Sequence, residues 1–156
     1  MRIVEARMIQ AIKDTINKID FHGRIMKCGN TEVSQTLPGT VETTDYQRII
    51  SVRLHGYEIA AIRPIEGTVW VSDCGWRTNT TKSRINVLIS ALTRHGHDSG
   101  ISQKNGEWIQ IAPTGAQYKW KGHDVFPLSL EAGNYYLEQA ERLTAKPRPL
   151  APQPSP

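Results

Sequence analysis

The sequence predicts an α+β domain in which an antiparallel sheet of about five to seven strands is packed by an N-terminal, a central and a C-terminal helix. Three observations predict it. Apolar residues recur at helical spacing in three separated stretches. Between those stretches lie short β-prone runs punctuated by Gly, Pro, Asn and Thr. A length of 156 residues, with 38% apolar and 22% charged side chains, suits one globular domain better than a disordered or membrane chain.

The elements follow in order. Ile9, Ile12, Ile16 and Ile19, extended by Val4 and Met8, form the apolar stripe of an amphipathic helix over the first twenty residues, with Arg7, Lys13, Asp14 and Lys18 largely elsewhere. Its stripe can pack on a sheet or meet a partner, and a small domain needs that area for its own core. From Gly23 to Gly67 the pattern turns to strands, at Thr31 to Thr36, Ile49 to Leu54 and Tyr57 to Ile62, with His55-Gly56 as a tight hairpin turn. Thr68 to Ser72 is the next strand, after the turn at Glu66-Gly67. Arg77 to Thr81 supplies helix-capping residues, and Ile85, Leu88, Ile89 and Leu92 mark the buried stripe of a second helix that ends before Gly96.

Two strands then flank Asn105-Gly106, a strong hairpin signal, at Gly100 to Lys104 and Glu107 to Ile111. Tyr118 to Trp120 and Asp124 to Phe126 read as a further hairpin around Lys121-Gly122-His123. Ser129 to Ala145 reads as a third helix, capped by Ser129 and carrying Leu130, Leu137, Ala140 and Leu143. From Lys146 the sequence is KPRPLAPQPSP, where prolines remove donors and restrict φ. Residues 1–145 are therefore expected to form the domain, and residues 146–156 a flexible Pro-rich tail, either a plain spacer or a ligand for a groove.

Charge has a position as well as a size. The formal net charge is +4, and between Gly75 and His97 stand Arg77, Lys82, Arg84 and Arg94 with no Asp or Glu. Cys28 and Cys74 fit no metal or redox spacing and read as buried free thiols. Charges interrupt the apolar runs of the N-terminus, so neither a signal peptide nor a membrane span is expected, and the location is expected to be cytoplasmic.

The segment Gly75-Trp76-Arg77-Thr78-Asn79-Thr80-Thr81-Lys82-Ser83-Arg84-Ile85-Asn86 concentrates the chemistry. A helix start exposes unpaired N–H groups and the positive dipole end, where acids are the favoured side chains, yet here Arg77, Lys82 and Arg84 gather. An anion such as phosphate at the helix end would turn that small penalty into a gain. Thr78, Thr80, Thr81 and Ser83 offer hydroxyl donors, Asn79 can cap the helix or read a base edge, and Trp76 can stack on an unpaired base or anchor the helix to the core. The same residues equally describe a capped helix with solvated cations. Lys82, Asn86 and Ser90 continue a polar face, suited to a phosphate backbone or simply to water.

Two tripeptides, Gly96-His97-Asp98 and Gly122-His123-Asp124, with His95 beside the first, raise a metal-dependent nuclease as a third reading. Both fall where turns are expected, and Gly-X-Asp is ordinary turn chemistry. No Gly-rich phosphate loop, zinc-ligand spacing or nucleophile elbow occurs in the sequence.

The stretch GWRTNTTKSRIN, with Asn30-Thr31, Leu54-His55-Gly56 and Ile59-Ala60, resembles a signature of a small uncharacterised family of proteins encoded mainly by bacteriophages. The resemblance covers the middle half of the chain and leaves out the first helix and everything after Gly96. It implies a phage setting, hence a host-cell cytoplasm, and carries no activity over. The expectation is a non-enzymatic viral protein, without metal or cofactor, that binds nucleic acid, DNA before RNA, through Trp76, Arg77, Thr78, Asn79, Thr80, Thr81, Lys82 and Arg84. The alternative is a module that inhibits or modulates a host protein.

Overall fold

The computed structural model describes residues 2–17, 23–36, 48–94 and 99–129. In chain order the elements are α1 (Ile3–Ile16), β1 (Gly23–Cys28), β2 (Thr31–Thr36), β3 (Ile49–Leu54), β4 (Tyr57–Arg63), β5 (Thr68–Ser72), α2 (Asn79–Leu92), β6 (Gly100–Lys104), β7 (Glu107–Ile111), β8 (Gln117–Lys119) and β9 (His123–Pro127). The strands form two antiparallel sheets, one of six in the order β1-β2-β3-β4-β5-β9 and one of three in the order β6-β7-β8.

Alternation along the strands builds the core. Register places Val33, Val52, Ala60 and Val71 in one row across the large sheet, and Gln35, Ile50, Ile62 and Val69 in the next. All eight are buried, because side chains two apart share a face and that face is covered by the helices. From α1 come Met8, Ile9 and Ile12, and from α2 come Ile85, Leu88, Ile89 and Leu92. The helical periodicity and the strand alternation thus meet in one apolar layer.

Polar groups tie the two helices together inside this layer. Glu5, at the start of α1, accepts a 3.0 Å bond from the Arg2 N–H, which caps the helix. Its other oxygen accepts from Arg84 Nη1 at 2.9 Å and from the Ser83 hydroxyl. Arg84 Nε also donates to Thr31 Oγ1 on β2, so one side chain links α2, α1 and the sheet. At the far end of α1, the buried Arg48 donates to the Thr15 carbonyl and to Gln35.

The three-stranded sheet packs on α2 through Asn86. Its amide donates to the Ile101 carbonyl at 2.8 Å and accepts the Ile101 N–H at 2.7 Å, a side chain taking the place of a strand. A Cβ on the neighbouring Gly100 would lie 2.9 Å from the Asn86 oxygen, which explains the glycine there.

Several expectations are corrected. One sheet of five to seven strands packed by three helices is overturned: the described residues are mostly β, with two helices and nine strands in two sheets. The expected hairpin of Tyr118 to Trp120 with Asp124 to Phe126 does not form, since β8 pairs with β7 while β9 crosses to the open edge of β5. The crossing is fixed by contacts remote in sequence. Trp120 is buried with its Nε1–H on Asp73 at 2.8 Å, and the Asp73 N–H bonds the Gly122 carbonyl at 2.9 Å. The polar face Lys82, Asn86 and Ser90 is not left wholly to water, because Asn86 is committed to β6. Past Ser129 itself, the third helix expected at Ser129 to Ala145 lies outside the described residues, as does the tail at 146–156.

Candidate functional site

The start of α2 is built by a tight turn. Asp73, Cys74, Gly75 and Trp76 close through a 2.8 Å bond from the Trp76 N–H to the Asp73 carbonyl, with Cys74 at φ 53° and Gly75 at φ 82°. Positive φ at both central residues is what a type I′ turn requires, and a cysteine in the first position is strained there. The turn is held by its neighbours. Asp73 Oδ1 accepts the Gly75 N–H at 2.8 Å, Ser72 Oγ accepts the Cys74 N–H at 3.0 Å, and the Cys74 thiol donates to the Glu58 carbonyl.

The turn throws Trp76 outward. It is 54% exposed and lies beside Tyr57, itself 50% exposed, with ring centroids 5.9 Å apart and planes tilted by 47°. Tyr57 reaches this place because His55 and Gly56, at φ 52° and 82°, make the β3–β4 turn and set Tyr57 opposite Leu54. The two rings edge a pocket of about 560 Å³. Leu54, Ile59 and the rings supply apolar wall, and Thr78, Thr80 and Thr81 from the helix start supply the polar end.

Thr78 is the N-cap of α2 and its hydroxyl accepts the Thr81 N–H at 3.1 Å. The Thr78 carbonyl takes the Lys82 N–H. Those two donors are satisfied, while geometry offers the N–H groups of Asn79 and Thr80 no partner within the helix. The first turn holds no acid, so the dipole end is uncompensated by a carboxylate of its own. Cys74, also on the pocket, has its thiol pushed above the usual range by burial; a hydrogen bond with Ser72 opposes this, and the charges of Asp73 and Glu58 add to it.

The structure sorts the residues singled out in sequence. Trp76, Thr78, Thr80 and Thr81 gather at the pocket, with Thr81 buried. Asn79 is exposed beside them. Arg77 lies at the flank, 3.3 Å from Asp73 through Nε and with its guanidinium 6.0 Å from the Trp108 ring centre, so it keeps a partly exposed charge. Lys82 is placed near Gln103 of β6, at 3.5 Å. Arg84 is apart from the others: it is buried against Glu5, facing the interior.

Sequence reasoning missed His55, Tyr57, Asp73 and Cys74. Asp-Cys-Gly before a helix carries a turn signal that marks the last two; no local signal brings Tyr57, nineteen residues before Trp76 in the chain, to the same rim. Cys28 and Cys74 are both free, and both are partly rather than fully buried. Of the five residues behind the nuclease reading, His95, His97 and Asp98 lie outside the described residues, His123 is exposed on β9, and Asp124 accepts from Gln110. Among the described residues no group of three or more His, Cys, Asp or Glu is placed to hold a metal ion, and no helix is long and apolar enough to cross a membrane.

No curated protein and no solved structure matches the chain. Residues 1–126 match the model of a phage family described as Kyanoviridae Gp96 protein, so the chain belongs to that family. The match includes α1 and runs into β9, which corrects the expectation of a likeness confined to the middle half.

Proposed function

We propose that this phage protein binds nucleic acid by taking an unpaired base into the slot edged by Tyr57 and Trp76, with the phosphate of that nucleotide at the start of α2. The observation that carries the reading is one arrangement: two exposed aromatic rings on a pocket of about 560 Å³ whose polar end is a helix N-terminus with no acid in its first turn, the lining carboxylate of Asp73 being buried and bonded to Gly75, Arg77 and Trp120. Large aromatic side chains left half in water are poorly used for stability and well used for stacking, because every base has a π-face. The N–H groups of Asn79 and Thr80 and the Thr80 hydroxyl suit phosphate oxygens, while Arg77, paired with Asp73, and Lys82, 3.5 Å from Gln103, stand outside the pocket lining and add charge only at longer range. The Gly75 to Asn86 stretch is on this reading the functional signature of the family.

Arg84 has a different part. Its guanidinium is spent on Glu5 and Thr31, so it holds α2 in place and does not meet the ligand.

The test is fluorescence anisotropy of the full chain with labelled single-stranded DNA and RNA oligonucleotides at low and moderate salt. Stacking contributes about 1–3 kcal/mol per base, so Trp76→Ala should weaken binding roughly 5- to 150-fold. Arg77→Ala/Lys82→Ala should weaken it and flatten the salt dependence. Wild-type protein that fails to bind at tens of micromolar would overturn the reading and favour a protein partner at the same aromatic rim.

A further inference from the structure

A second hollow adjoins the pocket. It has a volume of about 280 Å³ and lies between the β1–β2 turn at Gly29-Asn30 and the β3–β4 turn at His55-Gly56. The two turns are clasped by a 2.8 Å bond from the His55 N–H to the Asn30 carbonyl. His55 lines both concavities, so they are neighbours across one side chain.

Their chemistries differ. The first is apolar with aromatic rims, whereas the second is polar and contains Lys27 and Arg53. Lys27, Glu32, Arg53 and Glu58 are successive cross-strand neighbours on β1 to β4, and the first three of them line the hollow, two cations to one carboxylate. The next carboxylate along, Glu58, accepts a 2.7 Å bond from Ser51. Among the described residues neither Lys27 nor Arg53 has an ion-pair partner within 4 Å.

An aromatic slot beside a cationic polar hollow is the pattern of alternating base and backbone contacts that a single strand needs. We infer that the ligand is a strand of at least two nucleotides rather than a free nucleotide, its base in the Tyr57–Trp76 slot and the next phosphate in the Lys27–Arg53 hollow, with the linkage passing over His55. The inference rests on the base-binding reading above and adds the ligand's length and path. It also assigns Lys27 and Arg53, which belong to no motif of the sequence, to the interface.

The experiment titrates the full chain with thymidine monophosphate, dithymidylate and tetrathymidylate, followed by tryptophan fluorescence and calorimetry, at two salt concentrations. Dithymidylate is expected to bind at least tenfold tighter than the monophosphate. Lys27→Gln/Arg53→Gln should erase most of that gain and lower the salt slope by about 0.7 for each phosphate no longer neutralised. The monophosphate, which offers no second phosphate, is the internal reference. Lys27→Gln alone, on an exposed side chain of an edge strand, repeats the test with about half the effect should the Arg53 change disturb the sheet.

A monophosphate that binds while longer strands bind no tighter overturns the second subsite and leaves the base slot standing. A gain that survives the double substitution overturns the role of Lys27 and Arg53 in the same way. Failure of every ligand, the monophosphate included, overturns the base reading and this inference with it.

Discussion

Replacing Arg84 with alanine removes the cation from a pair that the fold has taken out of water. The Arg84 side chain is 7% exposed and that of Glu5 is 2% exposed, at 2.9 Å. Alanine there leaves the Glu5 carboxylate with the Ser83 hydroxyl and the Arg2 N–H but no counter-charge, and deprives Thr31 of its donor. Breaking one side of a buried pair costs about 3–5 kcal/mol, against a total of about 5–15 kcal/mol for an ordinary domain. With an m-value of about 2 kcal/mol/M in urea, the midpoint should fall by about 2 M. Urea titration followed by circular dichroism measures it. Glu5→Leu/Arg84→Met, which removes both charges, should recover most of the loss.

The pair also carries a pH signature. Burial raises the Glu5 pKa, but hydrogen bonds from Ser83 and the Arg2 backbone, with the charge of Arg84, outweigh it and hold the carboxyl below its ordinary value of 4.5. A carboxyl with a depressed folded pKa contributes stability above its unfolded pKa and loses it as pH falls through the folded one. The difference in urea midpoint between wild type and Arg84→Ala should therefore be largest at pH 7 and shrink as pH falls through the carboxylate range, because the variant's Glu5, still buried but without the Arg84 charge, protonates before the wild type's. A loss under about 1 kcal/mol at pH 7, or a double variant as weak as the single one, would refute the structural role assigned to Arg84.

Two further outcomes follow from local geometry. Gly100→Ala should cost about 1–3 kcal/mol in urea titration, since its Cβ displaces the Asn86 amide from two bonds to Ile101; on an Asn86→Ala background the part due to that clash should vanish, leaving the backbone strain of an L residue at φ 156°. Cys74, with its raised pKa and its place on the pocket, should alkylate slowly with iodoacetamide at pH 7.5, faster as pH rises, and more slowly still with a bound oligonucleotide. Mass spectrometry of the labelled peptide reads both, and labelling unaffected by bound ligand would place the ligand elsewhere.

Much of the local structure was legible in the chain. The stripes Met8-Ile9-Ile12 and Ile85-Leu88-Ile89-Leu92 are buried as their spacing indicates, and His55-Gly56, Glu66-Gly67 and Asn105-Gly106 all turn antiparallel pairs. Partner choice was not legible. Nothing in Asp124 to Phe126 distinguishes the edge of β5 from β8 as its neighbour, because alternation encodes a face and not a pairing. The site divides in the same way. Trp76 and the threonines stand out by composition, while Arg84 has the same composition as Arg77 and an opposite fate.

By itself the sequence determined the period of each segment, the turn positions and the concentration of donors and cations at one helix start, since these depend on spacing and on single-residue φ preferences. The tertiary structure alone decided which arginine is buried against Glu5, which strand closes the large sheet, and that Tyr57 meets Trp76. Those outcomes rest on contacts between residues 19 to 79 positions apart, and the free energy of such a contact depends on burial and on the partner, neither of which a local pattern contains.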